Sequence, residues 1–178
     1  MNKNFVINHL KKHHSNLKII DKNSVFNNNY IVKFNIPQNS SNDTKIEFDN
    51  VSQAFAYLKA HYFNRPDLYD NILNYQNVKE TGLALKSLNN SQWLNNRFKI
   101  MLIASFYKYQ NNPELKEALL KLNFDIPVFT GHNKYWTCGI INDVGAINLW
   151  CGQNQLGSVL LKIRSMLLPK NTSDNQIF

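Results

Sequence analysis

The sequence predicts a mainly α fold (α+β), a compact helical domain with a few short β-strands. Three observations carry this expectation. The chain has 178 residues, enough to bury one core and too few for two. From residue 51 onward, apolar residues recur at helical spacing, whereas stretches rich in β-formers are short. Apolar residues make up 43% and charged residues 18%, a globular composition rather than a disordered one.

The elements follow in chain order. The first fifty residues are polar and irregular, with a short helix expected over Phe5–His14. Tyr30 to Ile36 alternates weakly and is rich in β-formers, so it reads as a strand. Lys45 to Phe48 is its expected partner, across turn-forming residues Pro37 to Asp43. Val51 to Phe63 is a helix with Ala54, Leu58 and Tyr62 at four-residue spacing. Pro66-Asp67 suits the first turn of a second helix reaching about Tyr75, and Val78 to Leu88 forms a third. Ser91 is placed to cap a long helix to about Tyr109, with Leu94, Phe98, Met101, Leu102 and Ser105 on one face. Asn112-Pro113-Glu114 opens the next helix, striped by Leu115, Leu119 and Leu122. Residues 126 to 150 read as short strands and loops. Gln155 to Leu168 is a final amphipathic helix stopped by Pro169, followed by a fraying tail.

Composition narrows the function classes. No apolar run approaches the ~20 residues of a membrane span, and Met1-Asn2-Lys3-Asn4 does not open a signal peptide. A cytoplasmic location, or export without a signal peptide, is the expectation, with no membrane partner. Cys138 and Cys151 are too few for a disulfide framework, and no Cys/His cluster has metal-ligand spacing, so no metal is expected. Gly152 and Gly157 lack dinucleotide-fingerprint spacing, and no cofactor is expected. The net charge of +8 has two readings. It is either an attraction for nucleic acid or another phosphate-rich partner, or the Lys- and Asn-rich bias of an AT-rich genome; Asn27-Asn28-Asn29 fits the latter.

The segment Thr130 to Gly157 concentrates the chemistry: His132, Asn133, Trp136, Trp150, Gly152, Asn154 and Gly157. Tryptophan offers a flat face to a base, and asparagine both donates to and accepts from a polar ligand edge. Glycine admits close approach of the backbone.

Four motifs in order then resemble one family. They are Asn50-Val51-Ser52-Gln53-Ala54-Phe55-Ala56-Tyr57-Leu58-Lys59-Ala60; Trp93, Arg97 and Met101 leading to Tyr107-Lys108-Tyr109-Gln110-Asn111-Asn112-Pro113-Glu114-Leu115; Asn133-Lys134-Tyr135-Trp136-Thr137-Cys138-Gly139; and Trp150-Cys151-Gly152-Gln153-Asn154-Gln155-Leu156-Gly157 running on to Arg164. Together they resemble the YbiA-like, or NADAR, proteins. The resemblance divides the chain into a divergent N-terminal segment of the same domain (1–49), in which the usual SNF-type motif is not evident, the family domain (50–168) and a tail (169–178). It implies a compact, mainly helical fold and cleavage of a base–ribose C–N bond. Some members act on phosphorylated pyrimidine intermediates of riboflavin synthesis, others on ADP-ribosylated guanine. It also implies a nucleotide or ADP-ribose-type ligand held by Gln53, Lys59, Trp93, Trp136, Trp150, Gly152 and Asn154.

The departures from the family pattern matter most. The family's glutamate aligns with Ser52 and its histidine with Gln53. The aspartate of the third motif aligns with Asn133, and the glycine after its tryptophan with Thr137. An oxocarbenium-like transition state calls for negative charge near the sugar and a group that aims water. An amide cannot act as a general base, and a serine needs an activating partner. Glu47, Asp49, His132 and Asp143 are the candidate replacement acids or bases. Three readings follow: a nucleotide-binding domain with glycosidase activity reduced, altered or lost; an active N-glycosidase with relocated acids; or a non-catalytic macromolecular interaction protein.

Overall fold

A computed structural model describes residues 17–38, 44–122, 126–139 and 151–169. The expected helix over Phe5–His14, and also Trp150 and Asp143, lie outside the described residues. Among the described residues there are four strands and six α-helices. In order they are β1 (Leu17–Ile20), β2 (Phe34–Pro37), β3 (Lys45–Phe48), α1 (Val51–Tyr62), a 3-10 turn (Pro66–Leu68), α2 (Tyr69–Leu73), α3 (Val78–Ser87), α4 (Ser91–Asn111), α5 (Pro113–Lys121), β4 (Ile126–Phe129) and α6 (Gln155–Leu167). β2 and β3 pair antiparallel, with Phe34 opposite Phe48. β1 runs parallel to β4, with Ile19 opposite Val128. That second pair was not legible, because each strand has four residues and the pairing spans more than a hundred positions.

α1 starts where Asn50 accepts a hydrogen bond from the Gln53 backbone N–H. Its buried stripe is Val51, Ala54, Tyr57 and Ala60. α4 is capped by Asn90, which bonds Trp93 N, rather than by Ser91. Its buried face is Trp93, Met101, Ala104, Ser105, Lys108 and Tyr109, while Leu94 is 47% exposed. The expected face was therefore rotated, since the true one carries a lysine. The expected strand Tyr30–Ile36 begins only at Phe34, because Tyr30 and Val32 enter loop hydrogen bonds, the latter to Asp49 O. α1, α4 and α6 meet in one core: Val51, Ala54 and Ala60 lie with Met101, Ala104 and Tyr109, and with Val159, Leu160 and Ile163. No helix among the described residues is long and apolar enough to cross a membrane.

Lys108 lies inside this core, 1% exposed. Its Nζ donates to Val25 O at 2.7 Å and Asn27 O at 2.9 Å. Burial pulls its pKa down to about 7. The lysine thus clamps the chain entering the Asn27–Asn29 loop, which reaches the site.

Candidate functional site

The site is built at the N-terminus of α1. Ser52 is exposed there, and its Oγ donates to Asn29 Oδ1 at 2.5 Å. A second tie joins Ser52 N to Asn28 O. Ser52 and Asn29 border two clefts, one on each side. The first, about 320 Å³, is lined by the Asn27–Asn29 loop, Phe55, Thr130, Trp136 and Thr137. The second, about 290 Å³, lies toward α2 and α3 and includes Asn50, Asn71, Tyr75, Gln76 and Thr81. Both are close to the lower size of small-molecule sites. Among the described residues neither cleft is lined by a carboxylate; amides, hydroxyls and rings supply the walls.

Trp136 reaches the first cleft on a turn made by Asn133, whose Oδ1 accepts from Tyr135 N and Trp136 N. Asn133 thus positions the tryptophan without lining the cleft. Trp136 packs edge-on against Phe55 with ring centroids 5.4 Å apart. The carbonyls of Lys134, Tyr135, Trp136 and Thr137 accept from Gln153, Gln155, Leu156 and Asn154 N–H respectively. The N-terminus of α6 is therefore occupied by this turn rather than open to an anion.

Several residues expected on the ligand carry structural bonds. Gln53 borders the second cleft but is mostly buried; its Nε2 donates to Ile72 O and Leu73 O while Oε1 accepts from Asp49 N. Asn154 holds β4, accepting from Phe129 N at 3.0 Å and donating to Pro127 O at 2.9 Å. Gly152 sits against the same turn, where an added Cβ would be 2.0 Å from Thr137 O. Trp93 is buried, with Phe55, Tyr62 and Phe63 around it. Lys59 donates to Leu85 O and lies 4.9 Å from the Trp93 ring. Ser52 and Trp136 thus share a cleft, with Trp93, Asn133 and Asn154 outside it.

The replacement acids separate as sharply. Glu47 pairs with Lys33 at 2.6 Å on the exposed side of the β2–β3 hairpin. His132 is exposed and lines neither cleft. Asp49 is the one linked to the site, by its charge beside Tyr75, whose hydroxyl accepts from Asn50 Nδ2 at 3.1 Å. Burial foremost, and then the Asp49 charge, raise the Tyr75 pKa. Sequence reasoning missed Tyr75, Phe55 and the Asn27–Asn29 loop. A run of three asparagines fits compositional bias, and it is also what a polar cleft wall needs.

Comparison with known proteins agrees with this architecture. The NADAR domain family matches residues 11–168. The match reaches back well before residue 50, so β1, β2 and the asparagine loop fall inside it although no motif marks them. A protein of Acanthamoeba polyphaga mimivirus named "N-glycosidase R617" is 27% identical over 132 residues, which is 66% of this chain and 75% of that protein. The solution structure of the E. coli protein YbiA superposes with a TM-score of 0.64 at 17% identity, covering 86% of each chain, and shows the same fold. With the family match spanning nearly the whole of the described structure, the chain belongs to the NADAR domain family.

Proposed function

We propose that this chain binds ADP-ribose, NAD or a related nucleotide in the cleft between Ser52 and Trp136, and that its N-glycosidase chemistry is reduced, altered or lost. Family membership and the glycosidase-named viral relative give the coarser statement, a nucleotide-related domain of glycosidase type. One observation supports the finer reading. The cleft wall at Ser52 offers amides, hydroxyls and an indole, and no carboxylate among the described residues. Such a wall recognises a base and ribose well through stacking and hydrogen bonds. It gives a developing positive charge no anionic partner, and one lost electrostatic stabiliser costs on the order of 10²–10³ in rate.

Calorimetric titration with ADP-ribose beside a base-release assay tests this. Binding without release is expected. The Asp49 charge beside Tyr75, which lines the second cleft, favours a second reading, an active glycosidase whose acid works from that side. Release that disappears in Asp49→Asn would select it.

A further inference from the structure

Six side chains from three segments form a closed circuit beside the first cleft. Phe55 and Lys59 are one turn apart on α1, and Trp93 and Arg97 one turn apart on α4, so each pair shares a helix face. Lys59 Nζ lies 4.9 Å from the Trp93 ring. The Arg97 guanidinium carbon lies 3.2 Å from the centroid of Tyr135. Tyr135 and Trp136 have ring centroids 4.7 Å apart. Trp136 meets Phe55, and Phe55 meets Trp93 at 5.6 Å. The circuit has an aromatic wall and two cations at one edge.

Lys59 Nζ donates to the neutral acceptors Leu85 O and Asn89 Oδ1, and no carboxylate among the described residues pairs with either cation. The ion pairs elsewhere are Lys33–Glu47, Arg65–Asp67 and Lys121–Glu117. Arg97 has a buried Nε with no hydrogen-bond partner. Stacking on Tyr135 engages the face of the guanidinium and leaves its N–H fork unengaged. Burial foremost, and then the Arg97 charge, lower the pKa of Lys59, so the two cations feel one another. Two adjacent like charges are a cost that a bound anion removes.

We propose that Arg97 and Lys59 form an anion subsite that takes the phosphate or diphosphate of a nucleotide whose base and ribose occupy the Ser52–Trp136 cleft. This rests on the nucleotide reading above. The geometry suits one extended ligand. Ser52 and Lys59 are two turns apart on one face of α1, about 10 Å of helix rise, and Trp136 belongs both to the cleft and to the circuit. Arginine's planar fork matches phosphate oxygens in pairs, and Lys59 adds a point charge.

Titration of the full chain with pyrophosphate, ADP-ribose and adenosine separates the possibilities, using wild type, Arg97→Gln, Lys59→Gln and Arg97→Lys, with each variant's thermal midpoint as the folding control. Arg97→Gln and Lys59→Gln are expected to weaken pyrophosphate and ADP-ribose at least tenfold while leaving adenosine unchanged. Arg97→Lys keeps the charge and loses the fork, so an intermediate loss is expected; it carries the test if Arg97→Gln unfolds. Pyrophosphate or ADP-ribose bound equally by wild type and the variants overturns the subsite and leaves the nucleotide reading standing. Arg97-dependent binding of pyrophosphate with no binding of ADP-ribose keeps the subsite and overturns the nucleotide reading. Wild type that binds neither anion overturns both.

Discussion

Ser52 Oγ lies 2.5 Å from Asn29 Oδ1, and this pair forms the ridge between the two clefts of the candidate site. The position that aligns with the family's glutamate therefore holds a hydroxyl already committed as a donor. Its acceptor belongs to a loop fixed from behind by Lys108, through Val25 O and Asn27 O. A carboxylate at residue 52 would meet the same asparagine with opposite hydrogen-bonding demands. The site is thus organised around an amide–hydroxyl pair.

Trp136 is expected to be the main stacking surface. Stacking is worth ~1–3 kcal/mol per base when the ring is truncated to alanine. Trp136→Ala should weaken ADP-ribose by about one to two decades in calorimetry. Trp93→Ala should instead lower the thermal midpoint, because that ring is buried among Phe55, Tyr62 and Phe63.

Asn154 is expected to act on stability. Asn154→Gly tolerates the positive φ of 52° and deletes the amide that bridges Phe129 N and Pro127 O. Leaving those groups unpaired costs ~1–3 kcal/mol. Urea denaturation should show that loss. Unchanged stability with weakened nucleotide binding would assign Asn154 to the ligand.

Much of the fold was legible because helices announce themselves locally. α1, α3, α5 and α6 begin where apolar spacing or proline placed them. The parallel pairing of β1 with β4 was not, since it depends on α4 and α6 bringing distant segments together. The site was legible in part. Ser52 and Trp136 sit in motifs and share a cleft. Gly152 and Asn154 sit in the same motifs and carry packing and strand-holding contacts, which no residue type reveals by itself: an amide that holds a strand reads like an amide that holds a base. Arg97 was visible only as a motif letter, because its unengaged fork is a property of Tyr135 and the burial around it.

Lys108 should make stability depend on pH. Its folded pKa of about 7 lies below the ordinary lysine value of 10.5. Between these values the unfolded chain binds more protons than the folded one, so folding becomes more favourable as pH rises through this window. Lys108→Met removes this dependence along with the hydrogen bonds to Val25 and Asn27. The stability of the wild type minus that of the variant, from urea curves, should rise between about pH 6.5 and 9. Tyr109, whose pKa burial also raises, is present in both proteins and cancels from the difference.

Asp49 provides the check on relocated acid chemistry. If Asp49 only positions Tyr75, Asp49→Asn should leave any base release unchanged. Abolished release in Asp49→Asn, with release intact in Glu47→Gln, would place an active acid at the second cleft. Glu47 is bound to Lys33 on the outside of the hairpin and is the appropriate control.

The central claim is that the Ser52 cleft holds a nucleotide while its base-releasing chemistry is reduced, altered or lost. Base release by the unmodified chain, measured at saturating NAD and ADP-ribosylated guanosine, addresses it most directly. The account predicts little or no release above the uncatalysed rate. Robust release by the unmodified chain would contradict it.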